Sequence, residues 1–211
     1  MTGLTRLFPY ILLFGGVIAT LLSRKKKKKL SSRPNLQTIP SKVNLPNDMN
    51  SLLETLNHPD WRIREAAVWA LAENFNPIII PHLIGLLDDT DNDVREAASN
   101  VLIAFGDDSV PYLLDVVSSD RSVIARENAV KALSIIADHT AVPSLIDALN
   151  DPSVWVRIPV AQALGNIGDA QAVPALINAL KDTDLDMRKT AIEALEQIGT
   201  PEALAALTED I

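Results

Sequence analysis

Residues 151–180, DPSVWVRIPVAQALGNIGDAQAVPALINAL, decide the fold of this 211-residue chain. Asp151 and Pro152 read as a helix start, with an acid at the cap and proline at the first helical position. Val156, Val160, Ala163, Leu164 and Ile167 follow at spacings of three and four, which is a helical stripe. Gly168 reads as the cap that closes this helix. Asp169 then reads as the cap of a second helix, with Pro174 in its first turns and Val173, Leu176, Ile177 and Leu180 as its stripe. Neither helix exceeds about four turns, and neither can bury its apolar face alone.

The same reading recurs along the chain. Arg64, Arg95, Arg126, Arg157 and Arg188 stand 31 residues apart. Seven positions after each is a leucine (Leu71, Leu102, Leu133, Leu164, Leu195), and nineteen after each is another (Leu83, Leu114, Leu145, Leu176, Leu207). A third column holds Ala70, Val101, Ala132, Ala163 and Ala194. Columns that keep register over five periods mark a repeat whose units stack to share one core. Before the first full unit, residues 48–57 match a second helix alone, and the last unit reaches Ile211 within its second helix. The spacing predicts an all-α solenoid over residues 48–211, with about five 31-residue helix pairs and about eleven helices. In the second unit Val110-Pro111 arrives one residue early, and one extra residue near Ser118-Ser119 restores the period. Such a change belongs in a loop.

The run D-x-x-V-R-x-x-A-x-x-A-L-x-x-I-G-D-x-x-A-V-P-x-L-I-x-A-L is carried closely by residues 184–194, 169–180, 93–102 and 141–149. It resembles the HEAT-like repeat of the phycobilisome lyase family. The resemblance covers about 160 residues and implies a solenoid whose second helices line the concave side. Family members include bilin lyases, phycobilisome-degradation factors, iron-dependent hydroxylases and adaptors, so the resemblance implies a fold more specifically than a function. The hydroxylases hold two irons through His-Glu pairs. Here His58, His82 and His139 precede Pro59, Leu83 and Thr140, so no metal site and no other cofactor is expected. The absence of cysteine excludes a thiolate nucleophile and a disulfide framework. It leaves a lyase possible, because in that chemistry the cysteine belongs to the substrate.

The net charge of −8 is a sum of opposites. Residues 1–47 hold nine basic side chains and no acid, which is +9. The remaining residues hold ten basic and all 27 acidic side chains, which is −17. In the leader, residues 7–22 are uncharged and mostly apolar, and Arg24, Lys25, Lys26, Lys27, Lys28 and Lys29 follow. A helix of that length spans roughly 24 Å, and its flanks can extend it towards the ~30 Å of a bilayer core. Residues 1–29 therefore read as a single transmembrane anchor with a polybasic stop, which would place the solenoid in the cytoplasm. Residues 30–47, rich in Pro, Ser and Asn, read as a flexible linker. The acidic body argues against nucleic acid as a partner.

The arginine ladder reads as structural. Asp89, Asp120, Asp151 and Asp182 stand six residues before four of the arginines, and an arginine paired to the turn acid of the adjacent unit would staple the stack. The binding candidates are instead two columns on the second helices, one and four residues after the helix proline. The first holds His82, Tyr112, Ser144 and Ala175. The second holds Gly85, Asp115, Asp147 and Asn178. The half-units add Ser51 and Glu54 at one end, and Ala206 and Glu209 at the other. The second column is polar or acidic at five of its six places. Such a groove would receive a basic or polar segment of another protein. Trp69 is expected to be exposed or covered by something else, because its column is otherwise polar. Pro159 is expected to kink its helix. The chain thus reads as a non-catalytic, membrane-tethered scaffold that holds a protein partner at the cytoplasmic membrane face. The alternative is a phycobilisome-related bilin lyase or phycobiliprotein-handling chaperone.

Overall fold

The structure, a computed structural model, describes residues 45–209. Among these residues are eleven α-helices and no strand. The long helices are α2 (Trp61–Asn74), α4 (Asn92–Phe105), α6 (Val123–Ile136), α8 (Val154–Ile167) and α10 (Leu185–Ile198), each of 14 residues. The short helices are α1 (Met49–Thr55), α3 (Ile80–Gly85), α5 (Val110–Val117), α7 (Val142–Ala148), α9 (Val173–Ala179) and α11 (Pro201–Glu209). A 3₁₀ turn leads into each of α3, α5, α7 and α9. One half-unit followed by five pairs is the arrangement the period predicts.

The caps repeat with the same period as the helices. The long helices start after Asp60, Asp91, Ser122, Ser153 and Asp184, and in four cases the capping side chain accepts a backbone N–H of the first turn. Ser153 makes no such bond. The helix expected to begin at Asp151-Pro152 therefore begins two residues later. Asp151 looks like a cap from sequence because its Oδ1 accepts the N–H of Ser153, at 2.8 Å. The helix ends fall at Phe75, Gly106, Ala137, Gly168 and Gly199, all at positive φ. Pro159 lies inside α8, which stays one continuous helix; having no N–H, it cannot bond the Trp155 carbonyl.

Successive long helices pack in a row from α2 to α10; each of the first five short helices packs on the long helix that follows it, and α11 packs on α10 before it. The leucine columns fill the space between. Leu71, Leu102, Leu133, Leu164 and Leu195 are fully buried, as are Leu83, Leu145 and Leu176. One continuous apolar cluster runs from Leu52 to Ala203. A close helix approach occurs at Gly165, where a Cβ would stand 2.8 Å from the Ala194 Cα. Leu45, at the end of the expected linker, packs against this core.

The expected anchor at residues 1–29, and with it Arg24 and Lys25 to Lys29, lies outside the described residues, as do linker residues 30–44. Among the described residues no helix is long and apolar enough to cross a membrane. The longest reach about 21 Å, short of a ~30 Å hydrocarbon core, and they carry the arginine ladder. This finding overturns the expected placement as a single-pass membrane protein with its solenoid in the cytoplasm.

Candidate partner-binding face

Three of the five arginines of the ladder form forked ion pairs with the turn aspartate of the next unit. Arg64 Nε and Nη2 donate to Asp89 at 2.8 and 2.5 Å. Arg126 makes the same fork to Asp151 at 2.7 and 3.0 Å, and Arg157 to Asp182 at 2.9 and 3.0 Å. Each fork spans 25 residues and ties one unit to the turn of the next. The third nitrogen, Nη1, donates backwards to a carbonyl of the arginine's own turn: Arg64 to His58, Arg126 to Arg121 and Arg157 to Asp151. Planar, two-point bonding fixes both partners in orientation. The Arg157 fork holds the Asp182 carboxyl below its usual range. At Asp89 burial pulls upward, but the Arg64 fork and the Asp91 N–H outweigh it, and the carboxyl is also lowered.

Two rungs differ. Arg188 Nη1 donates to the carbonyls of Asp182 and Thr183 at 2.7 and 3.2 Å. Arg95 makes no fork to Asp120, contrary to the expected column. It donates to the Asp89 carbonyl at 2.6 Å and to Asn92 Oδ1 at 3.1 Å. This is the turn that carries the extra residue near Ser119. In three other turns an aspartate (Asp89, Asp151 or Asp182) accepts the N–H two residues ahead. In this turn Ser119 Oγ accepts from the Arg121 N–H, at 3.3 Å. A neutral serine thus makes here the bond that an aspartate makes in the other three turns.

The short helices carry the candidate face. Glu54 (α1), His82 (α3), Tyr112 and Asp115 (α5), Asp147 (α7) and Asn178 (α9) are exposed, and Ser144 (α7) is half-buried. The side chain of Glu209 lies outside what is described. The period brings these residues onto successive helices of one row. No lysine or arginine occurs on any of the six short helices; the solenoid's lysines and arginines all sit on long helices or in turns. The face is therefore neutral to acidic, with carboxylates on several of its helices.

Three tryptophans and three histidines lie around the ladder and the short-helix face. Trp69 is half-buried against the core, and its Nε1 donates to Glu65 Oε1 at 3.2 Å. Burial pushes the Glu65 carboxyl up, with Trp69 pulling the other way. Trp155 is the exposed tryptophan, at 67%. Ile124, one period earlier, and Leu185 are also exposed, at the starts of α6 and α10. The equal 31-residue offset of Ile124 and Trp155 was a readable signal. His58 Nδ1 accepts the Asp60 N–H at 3.0 Å, and His139 Nδ1 lies 3.1 Å from Asp169 Oδ2. Among the described residues no group of three or more His, Cys, Asp or Glu side chains is placed to hold a metal ion.

The family of HEAT repeats matches residues 49–134, 80–157 and 142–210. The chain belongs to the HEAT repeat family. It is 32% identical, over 86 residues, to the uncharacterized phycocyanin operon protein Z of Pseudanabaena tenuis. That match covers 41% of this chain and 43% of the relative, so the chain spans less than half the length of the curated relative it matches. Among solved structures, it is similar to the complex of CpcE and CpcF of phycocyanin lyase from Nostoc sp. PCC7120. Identity there is 24%, with 81% of this chain and 74% of that chain covered and a TM-score of 0.53. The E. coli protein YibA shares the fold at 19% identity, over 77% of this chain and 63% of that chain, with a TM-score of 0.51.

Proposed function

We propose that this HEAT solenoid handles a phycobiliprotein, holding it or a protein that acts on it, in the manner of a chaperone or a lyase subunit. The observation that carries the reading is the sequence match to a phycocyanin operon protein. Similarity of fold to the phycocyanin lyase complex agrees with it. The partner rests on the short-helix face, where Glu54, His82, Tyr112, Asp115, Ser144, Asp147, Asn178 and Glu209 are the contact candidates. A face without lysine or arginine favours a basic or polar segment of the partner. In this reading the described part of the chain acts by binding.

The test is capture of phycocyanin, with and without its bilin, by the immobilised full chain. Saturable binding is expected, and Asp115→Lys combined with Asp147→Lys weakens it about tenfold or more, since two like charges then face a basic segment. No capture of either form sinks the reading. Undiminished capture by the double variant keeps the partner and removes the face. A second reading, bilin attachment, is favoured by the lyase fold. It predicts a visible absorbance change, dependent on this chain, when bilin and bilin-free phycocyanin are mixed.

A further inference from the structure

We propose that the junction between the second and third repeat units is a hinge built into the solenoid. This inference is independent of the partner's identity. Three of the junctions are closed by an arginine fork on a nearly buried aspartate, with side-chain exposures of 6 to 14% on both partners. The junction between α4 and α6 has no such fork. Ser119, and not the neighbouring Asp120, makes this turn's side-chain bond to the N–H two residues ahead, and Arg95 directs its donors to the Asp89 carbonyl and Asn92, within the turn ahead of its own helix. The polar bonds that reach back from the third unit are single ones, and they pass the second unit to end at the close of the first. Arg121 Nη1 donates to the Ile84 carbonyl at 3.4 Å, Ser122 Oγ to Asp88 Oδ2 at 3.2 Å, and Asn128 Nδ2 to the Leu87 carbonyl at 2.9 Å. Arg121, Ser122 and Asp88 are exposed. A forked ion pair fixes orientation as well as distance, whereas a single exposed bond lets its partners swivel and exchanges readily with water.

The apolar core crosses this junction without a gap, so the units stay joined. What is missing is the polar lock on their relative angle. Solenoid stability is a sum of unit and junction contributions, so the junction that lacks the fork is the one that bends and opens first. The two-and-a-half units before it and the three after it move as blocks.

The chain has no cysteine, so spin labels can be placed cleanly. Asn100 and Gln162 are two units apart and flank this junction. Lys131 and Glu193 are equally far apart in sequence and flank two forked junctions. Cysteine pairs at these sites, read by pulsed electron–electron dipolar spectroscopy on the full chain, give the width of each distance distribution. The Asn100–Gln162 distribution is expected to be at least twice as wide as the Lys131–Glu193 one. Ser119→Asp puts a carboxylate on the residue that bonds the N–H two residues ahead, as Asp89, Asp151 and Asp182 do in the forked turns, and is expected to narrow the first distribution while leaving the second unchanged. Hydrogen exchange of α6 amides is expected to slow about tenfold in the same variant. Equal widths in the native chain, or Ser119→Asp without narrowing and without slower exchange, would overturn the proposal.

Discussion

Two residues show how this chain tolerates strain at the same structural place. Phe75 and Ala137 close long helices in the left-handed region, with φ of 46° and 54°, where Gly168 and Gly199 stand in other units. A side chain there costs about 1–2 kcal/mol. Phe75 offsets that cost, because its ring stacks on Phe105 with centroids 4.3 Å apart. Ala137 is exposed and has no such compensation. Ala137→Gly is therefore expected to stabilise the fold by about 0.5–1 kcal/mol in urea denaturation, whereas Phe75→Gly loses the stack and destabilises it. Gly165 is the opposite case. The Gln197 side chain, 2.6 Å from where an added methyl would sit, can swing aside, but the Ala194 Cα at 2.8 Å belongs to the backbone of α10. Gly165→Ala is expected to cost about 1–3 kcal/mol in the same assay, by forcing α8 and α10 apart.

At the scale of elements, the forks between long helices and turns make the stack sensitive to acid. The Asp182 carboxyl is held low first by the Arg157 fork. A group whose folded pKa is depressed stabilises the fold above its unfolded pKa, near ~3.9, and that contribution disappears as pH falls through the folded value. Stability is expected to fall below about pH 4, and Asp182→Asn is expected to lose about 1–3 kcal/mol at about pH 7 and to flatten the fall. Equal slopes for variant and native chain in an acid titration of the melting temperature would refute this. The helices themselves were legible in the sequence because stripe, leucine columns and cap residues all repeat with one period. Two things were not. Asp151 mimics a cap while serving Arg126, since a short turn lets one carboxylate accept both a nearby amide and a distant guanidinium. The one-residue change near Ser119 is visible as spacing, but which side chain then faces Arg95 depends on turn geometry that no column records. The exposure of Glu54, His82, Tyr112, Asp115, Asp147 and Asn178 followed from period alone. Trp69 did not, because its neighbours in the column are polar while its own ring finds the core and Glu65.

For the whole molecule, what matters is the separation of charge. The lysines and arginines of the solenoid lie on its long helices and turns, while the short helices carry none. Attraction between the short-helix face and a basic segment is therefore expected to show in the association rate and to weaken with salt. Capture of phycocyanin should slow about tenfold between about 50 and 500 mM salt as the screening length shrinks; a rate indifferent to salt would argue for apolar contacts, with Trp155 and its neighbours as the next candidates. The repeating caps carry one more consequence, and it concerns inheritance. Residues 154–184 run from the first residue of α8 to the cap of α10. Excising them would join Ser153 to Leu185, leaving a cap before a 14-residue helix, an arginine in register and a glycine at its end. The gene can therefore lose or duplicate such a block in frame and still encode a properly terminated stack, so the length of this surface is open to selection independently of its sequence.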